Sequence, residues 1–184
     1  NDYGSWKMYG GNSDNNHYSS LSQIDTNNVT QLKVAWVYHT GDVDTANHSQ
    51  IQCNAIMIDG VLYGTSPLMK LFAVDATTGK QKWIFNPFDS LSGDKRMFFI
   101  LNNCRIIRYW SDGKNDKRIL YTAGAYLYSI NAESGKPVIT CGDSGKIDLQ
   151  NGLDRDVKDL FITATSPPVV YKHLLIMGSR VDEG

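Results

Sequence analysis

The stretch Leu71–Phe85, "LFAVDATTGKQKWIF", holds an alternating apolar run that stops at a polar turn and restarts at a tryptophan. In Leu71–Asp75 the odd-numbered side chains share one face of an extended strand and the even-numbered ones share the other. Gly79 can adopt the positive φ that a tight hairpin needs, and the Asp75 and Thr77 side chains can bond the backbone N–H groups of the turn. The stretch therefore predicts an antiparallel hairpin in which "QKWIF" is the returning strand.

A second copy of this pattern, "ILYTAGAYLYSINAESGK", aligns with "VLYGTSPLMKLFAVDATTGK" earlier in the chain. Leu62 and Leu120 lie 58 positions apart and Gly79 and Gly135 lie 56 apart, which gives a repeat of about sixty residues with a two-residue length difference. A third beginning occurs at "HLLIMGSRVDEG", in which Leu175 follows Leu120 by 55 positions. Repeats of three to four strands with this period are typical of β-propeller blades.

Strand signals dominate the rest of the chain, and two short segments are candidates for a turn of helix. We therefore expect an all-β fold of antiparallel four-stranded sheets. The strand-like segments are "VAWVYHT" (34–40), "AIMIDGVLYGT" (55–65), "KLFAVDA", "KWIF", "RILYTAG", "YLYSINA" and "PPVVYKHLLIMGS". The helix candidates are "LSQIDTNNVTQL" and "LDRDVKDLF".

Composition and charge exclude several function classes. With 184 residues, 41% of them hydrophobic, and a net charge of -1, the chain predicts a globular domain without the basic footprint of nucleic-acid or anionic-membrane binding. No apolar run of transmembrane length occurs, and the first residues do not resemble a signal peptide, so an exported protein would have lost its signal already. Cys53, Cys104 and Cys141 form no CxxC motif, and either one disulfide or three packed thiols is compatible with their spacing.

Propellers close with four to eight blades, whereas this chain holds about three repeats at the observed period. We expect an N-terminal extension over 1–33 and blade repeats from about residue 34 onward, all within one partial propeller domain over 1–184. The remaining blades would come from a longer protein or from another chain.

The repeat form "AVDATTGKQKW" resembles the tryptophan-docking repeat of quinoprotein dehydrogenases, which bind pyrroloquinoline quinone (PQQ). Three further segments are similar to those of that family. Tyr18–Asp42 resembles its entry segment YSPLxQIxxxNVxxLxxAWxYxTGD, Asn103–Trp110 resembles its CRGVxYW segment, and Thr165–Arg180 resembles its TSPPxxxxxxxxxGS segment. The resemblance covers nearly the whole chain, is strongest to the glucose-dehydrogenase-like branch, and implies the N-terminal part of an eight-bladed propeller.

The resemblance also implies site residues, because a flat, tri-anionic quinone needs cationic forks, hydroxyl donors and a divalent cation. Arg105 matches the arginine that pairs with PQQ near its reactive carbonyls, and Thr165 and Ser179 match hydroxyls that bond its carboxylates. Gln52 falls where the family often has a cofactor-contacting glutamate, and Glu183 falls where the alcohol-dehydrogenase branch has a calcium-ligating glutamate.

Each assignment has a structural alternative. Arg105 could be an ordinary ion-pair partner, Thr165 and Ser179 could satisfy local backbone groups, and Glu183 could be an exposed carboxylate. Gln52 cannot supply charge to a cation as a carboxylate does. Trp36 and Trp83 are more simply explained as wedges between blades than as cofactor contacts.

Three departures from the family pattern affect the functional reading. Ile106 replaces a glycine that lets backbone approach closely, and Leu101 stands where the glucose branch has a histidine. The family's catalytic aspartate would lie downstream of this chain. No catalytic residue can therefore be named in it.

The resemblance implies a periplasmic, PQQ-dependent oxidoreductase that oxidises a sugar or an alcohol by hydride transfer to the quinone with Ca²⁺ assistance. Its partners would be that small-molecule substrate and a respiratory electron acceptor, a quinone or cytochrome c. A second hypothesis is a non-catalytic propeller scaffold that uses the same repeat to bind protein partners. A third is a related fold that has lost activity, which Gln52, Leu101 and Ile106 suggest.

Overall fold

The structure is a computed structural model that describes residues 5–46, 49–89, 104–105, 107–157, 162–166, 168–172 and 174–181. Two four-stranded antiparallel sheets, which we call the first and second blades, form most of it. The first contains β1 (Ile56–Ile58), β2 (Val61–Thr65), β3 (Leu71–Asp75) and β4 (Gln81–Phe85). The second contains β5 (Arg108–Ser111), β6 (Lys117–Ala123), β7 (Tyr126–Asn131) and β8 (Lys146–Asp148).

Two further ribbons make up a third unit. β9 (Ile162–Thr163) pairs with β12 (Arg180–Val181), and β10 (Val169–Tyr171) pairs with β11 (Leu174–Ile176), so the second pair is nested inside the first. Within the described residues the only helical turn is a 3-10 turn at Val29–Gln31, inside one of the two predicted helix candidates. None of the described residues belongs to a helix long and apolar enough to cross a membrane.

The hairpin predicted from Leu71–Phe85 is confirmed. Leu71 lies opposite Phe85 and Ala73 opposite Trp83, with a bulge between Ala73 and Val74. Gly79 has a φ of +70° in the turn, and the Asp75 carboxylate accepts hydrogen bonds from the backbone N–H groups of Thr77 and Thr78.

The second blade repeats this turn with an amide in place of the carboxylate. The Asn131 side-chain oxygen accepts from the backbone N–H groups of Glu133 and Ser134. Gly135 has a φ of +71°, as Gly79 does in the first blade.

The strand register corrects the sequence alignment of the two repeats. Val61 lies opposite Asp75 and Arg118 lies opposite Asn131, so β2 and β6 are offset by 57 positions rather than 58. Tyr63 therefore corresponds to Leu120 and not to Tyr121. Because a one-residue slip moves a side chain to the other face of a sheet, the two tyrosines point to opposite blade faces.

Two other sequence predictions were tested by the fold. Residues 34–40 were expected to form a strand, but the structure assigns them to no ladder, although Trp36 and Tyr38 pack on the first blade. No disulfide joins Cys53, Cys104 and Cys141, which agrees with the alternative of three packed thiols. The proposed boundary at residue 33 stays a prediction.

The core lies between the first and second blades. Leu71, Ile119, Tyr121 and Ile130 have no exposed surface, and the ring of Phe85 from β4 contacts both Tyr121 and Tyr128. Strand β1 lies at one edge of the first blade's sheet, and β5 lies at the corresponding edge of the second. Residue Trp6 bridges to Met57 on the edge of β1.

Candidate functional site

The candidate residues lie where the inter-strand connections meet at one end of the blades. β1 and β5 begin at this end, and β2 and β6 finish there, because neighbouring strands are antiparallel. We call it the upper end. The Asp75 and Asn131 turns lie at the opposite end.

Arg105 and Gln52 are joined at the upper end although they are far apart in sequence. Gln52 precedes β1 and is half-buried, whereas Arg105 precedes β5 and is exposed. The Arg105 Nε–H donates to the Gln52 side-chain oxygen at 3.1 Å, and the Arg105 carbonyl accepts from the Asn54 backbone N–H at 2.8 Å. The first bond directs the guanidinium while leaving its two terminal nitrogens for a ligand.

Thr165 and Ser179 lie on the third unit, at the ends of its outer ribbon. Thr163 is opposite Arg180, and continuing this register places Thr165 opposite Gly178 and Ser179 opposite Ala164. The Thr122 hydroxyl, near the last residue of β6, donates to the Ala164 carbonyl. This bond fixes the Thr165 segment to the upper end of the second blade.

The structure thus groups the four described candidates into two pairs at the same end of the sheets. Among the described residues, no hydrogen bond joins the Arg105 pair to the Thr165 pair, and no carboxylate pairs with Arg105. Glu183, Leu101 and Ile106 lie outside the described residues. Within the described ranges no group of three or more His, Cys, Asp or Glu side chains could hold a metal ion.

A buried polar cluster at the upper end was missed by the sequence reasoning. Asp42 is only 8% exposed, and its Oδ2 accepts from the Ser66 hydroxyl at 2.6 Å and lies 3.7 Å from the Lys70 ammonium. Its Oδ1 is buried, with no hydrogen-bond partner in the described ranges of the chain. The only signal in the sequence is the position of Asp42 at the end of "YHTGD", directly after Gly41, which has a φ of +70°.

The cluster connects the entry segment to the first blade. Ser66 follows β2 directly, and its hydroxyl also accepts from the Lys70 backbone N–H at 3.0 Å. A buried carboxylate that is held by a hydroxyl and an ammonium resists displacement, because removing one partner would leave a buried charge uncompensated. The cluster therefore holds the chain just before the segment that carries Gln52.

The glucose/ethanol/alcohol dehydrogenase PQQ β-propeller domain is the family model that matches, over residues 6–184. The chain is 31% identical to the quinoprotein glucose dehydrogenase of Escherichia coli (strain K12) and 30% identical to that of Gluconobacter oxydans (strain 621H). In each case the alignment covers 97% of this chain and 24% of the relative, so the chain spans about a quarter of their length.

A solved structure shows the same architecture. The quinohemoprotein alcohol dehydrogenase from Comamonas testosteroni superposes with a TM-score of 0.73 at 23% identity, covering 98% of this chain and 24% of that one. This likeness supports the fold, in which the present chain forms part of a larger propeller. The chain belongs to the PQQ-dependent glucose/ethanol/alcohol dehydrogenase β-propeller family.

Proposed function

We propose that this chain forms part of a PQQ-dependent dehydrogenase that oxidises a sugar or an alcohol, with Arg105 and Gln52 on one side of the cofactor site. The observation that carries the proposal is the placement of Arg105, Gln52, Thr165 and Ser179 at one end of the blades. A scaffold that only binds protein edges has no need to gather these four side chains there.

The donor set fits the chemistry of PQQ. An arginine fork with free terminal nitrogens suits a carboxylate, because guanidinium and carboxylate form paired, charge-assisted hydrogen bonds. The exposed Ser179 hydroxyl and the half-buried Thr165 hydroxyl add neutral donors. When bound, PQQ supplies the two-electron redox chemistry, and the protein supplies orientation and electrostatics.

Arg105 has two tasks in this proposal. It orients the cofactor through a carboxylate or quinone oxygen, and its positive charge stabilises negative charge that develops on that oxygen. Gln52 directs the guanidinium through the 3.1 Å hydrogen bond to Arg105 Nε. We propose Glu183 as the Ca²⁺ ligand, since carboxylate oxygens suit that cation.

The complete enzyme is proposed to be periplasmic and to pass electrons to a respiratory quinone or to cytochrome c. These assignments rest on the family, whose members named above are quinoprotein dehydrogenases. The substrate class is left as a sugar or an alcohol because the family model names both glucose and alcohol dehydrogenases.

The test is Arg105→Ala in the full-length protein. PQQ affinity or turnover should fall at least about tenfold, since hydrogen bonds to charged groups contribute about 1.5–3 kcal/mol. Arg155→Ala, in an exposed loop, is the control and should change neither quantity. Unchanged PQQ binding in Arg105→Ala would remove this residue from the site.

The same protein separates the competing functions. Wild-type protein is supplied with PQQ and Ca²⁺, and reduction of a dye is followed with a panel of sugars and alcohols. Tight PQQ binding without dye reduction would indicate a fold that has lost activity. A lack of PQQ binding would indicate a scaffold.

A further inference from the structure

A cleft of about 460 Å³ lies between the N-terminal segment 8–15 and the third unit. Ile107 and Arg108, at the start of β5, form its floor, and Pro168, Val169 and Val170 form one wall. This volume is in the range of small-molecule sites. None of the residues assigned above to the PQQ site lines it.

Arg108 enters this cleft without a counter-charge. It is half-buried, and its only described hydrogen bond runs from Nη1 to the Met8 sulfur at 3.2 Å. Its Nε is buried without a partner, and no carboxylate among the described residues forms an ion pair with it. Burial lowers the pKa of the Arg108 guanidinium. A thioether is a weak acceptor, so the charge is poorly compensated.

The other half-buried arginine of the second blade, Arg118, has a different environment. Arg118 lies on β6, pairs with the Asp116 carboxylate and stacks over the Trp110 ring at 5.2 Å. The Arg118 guanidinium therefore has a carboxylate and an aromatic ring beside it, whereas the Arg108 guanidinium faces the cleft.

Asn12 supplies a second unused donor on the same cleft. Its side-chain oxygen accepts from the Asp14 backbone N–H at 2.9 Å, which fixes the orientation of the amide. Its Nδ2 is buried without a hydrogen-bond partner among the described residues. The cleft thus contains an uncompensated cation and an amide donor, both with unmet hydrogen-bonding capacity.

We propose that this cleft binds a carboxylate group, held by Arg108 and Asn12. Two donors without an acceptor select an anion, and the planar guanidinium suits a carboxylate. The apolar wall at 168–170 suits a hydrocarbon body attached to that carboxylate, in preference to an inorganic ion. This site depends on neither PQQ nor the proposed dehydrogenase activity.

The carboxylate has two possible sources. The chain spans 24% of its Escherichia coli relative, so an Asp or Glu side chain from the rest of the full-length protein is one. A free carboxylic acid is the other. The two sources can be distinguished by experiment, because an added carboxylate can bind only if no side chain of the protein already fills the cleft.

The experiment uses the full-length protein and sodium hexanoate, followed by calorimetry, with sodium chloride at equal ionic strength as the salt control. For a free ligand, hexanoate should bind saturably, and Arg108→Gln should weaken binding at least about tenfold. Asn12→Asp should also abolish binding, because it keeps the acceptor for Asp14 and replaces the free donor with a charge. Arg155→Gln should bind as wild type does.

For a carboxylate supplied by the protein, hexanoate should not bind wild type, and Arg108→Gln should lower the melting temperature more than Arg155→Gln does. Two results would overturn the proposal. One is hexanoate binding that Arg108→Gln and Asn12→Asp leave unchanged. The other is no hexanoate binding together with equal melting temperatures for Arg108→Gln and Arg155→Gln. If Arg108→Gln does not fold, Asn12→Asp decides both cases, because it places a negative charge beside the bound carboxylate. Unchanged hexanoate binding in Asn12→Asp would overturn the free-ligand case, and a melting temperature equal to that of wild type would overturn the case of a carboxylate supplied by the protein.

Discussion

The indole of Trp83 packs against Gly135 of the neighbouring blade. A Cβ on Gly135 would come within 2.6 Å of the Trp83 ring, and the indole N–H donates to the Ala132 carbonyl at 3.0 Å. Trp36 makes the same arrangement on Gly79, with a 3.1 Å bond to the Ala76 carbonyl. The repeat is therefore a docking device, in which each tryptophan closes on the hairpin turn of the next sheet.

Gly135→Ala should destabilise the full-length protein. The positive φ alone costs about 1–3 kcal/mol for a residue other than glycine, and the new methyl group would also displace the Trp83 ring. Gly113→Ala is the matched control, because Gly113 has a φ of +78° and open space around it. The midpoint of denaturant unfolding should fall further for Gly135→Ala, and equal falls would contradict the docking role.

The Asp75 turn predicts a specific acid response. Hydrogen bonds from the Thr78 hydroxyl and backbone lower the pKa of the Asp75 carboxyl below its usual value. A lowered folded pKa gives stability that is present above the unfolded pKa and is lost as pH falls through the folded pKa. Asp75→Asn should keep the turn at neutral pH, because Asn131 accepts the same bonds, and should lose this acid sensitivity.

Asp75→Ala is the comparison, since it removes the acceptor altogether. Thermal unfolding between pH 7 and pH 2 measures both variants. An Asp75→Asn protein that unfolds like Asp75→Ala at neutral pH would show that the charge, and not the acceptor, holds the turn.

Replacing either of two stacked tyrosines by phenylalanine should change the stability of the protein in opposite directions. Tyr121 is fully buried, and its hydroxyl has no hydrogen-bond partner within the part of the chain that the structure describes, whereas the Tyr128 hydroxyl donates to the Pro87 carbonyl at 3.1 Å. Tyr121→Phe should stabilise the protein by about 1 kcal/mol, because it removes an unpaired buried polar group. Tyr128→Phe should destabilise it by a similar amount.

The loss of folding stability at alkaline pH gives a second test of these two tyrosines. Burial raises the pKa of Tyr128 to about 12, above the ordinary value of 10.0. The raised pKa gives stability that is complete below pH 10 and lost as pH rises towards 12. Tyr128→Phe should remove the part of the stability loss that titration of Tyr128 causes. A dependence of stability on alkaline pH that is the same as in wild type would contradict the raised pKa of Tyr128.

Much of the fold was predictable because its signals are local. The Asp-Ala-Thr-Thr-Gly-Lys turn and its alternating flanks specify β3 and β4, and the same logic identifies β6 and β7. The segment 55–65 was read as one strand, but Asp59-Gly60, with φ values of 48° and 75°, forms a two-residue hairpin turn that divides it into β1 and β2. Each of these features needs only neighbouring residues.

The features that were missed depend on distant partners. Residues 34–40 have strand composition, but a strand needs a backbone partner, which composition does not reveal. The position that corresponds to Trp83 in the second repeat is Ile139, which is 75% exposed, so the docking device is not complete in every repeat. The one-residue error in aligning β2 with β6 arose because the loops before β3 and β7 differ in length.

In the candidate site too, the identities of the residues were predictable, whereas the contacts between distant residues were not. Family resemblance identified Arg105, Gln52, Thr165 and Ser179, but the Arg105–Gln52 hydrogen bond joins residues 53 positions apart and became visible only in three dimensions. The buried Asp42 cluster carried no comparable motif, because its partners Ser66 and Lys70 lie in a loop that is read as an ordinary turn.

The final prediction concerns Gln52 as the residue that positions Arg105. Gln52→Leu removes the acceptor at 3.1 Å, so the guanidinium should lose its orientation and PQQ affinity should fall by about five- to tenfold, which corresponds to the roughly 1 kcal/mol that a typical intramolecular hydrogen bond contributes. Gln52→Glu keeps an acceptor of the same length and should preserve the orientation of Arg105. It should also place negative charge beside a site for an anionic cofactor, so its PQQ affinity should lie below that of wild type at low salt, and the difference should shrink as salt screens the repulsion. Titration of apo full-length protein with PQQ at two salt concentrations measures both effects, and Gln52→Leu binding PQQ as tightly as wild type would show that Arg105 is oriented by other contacts.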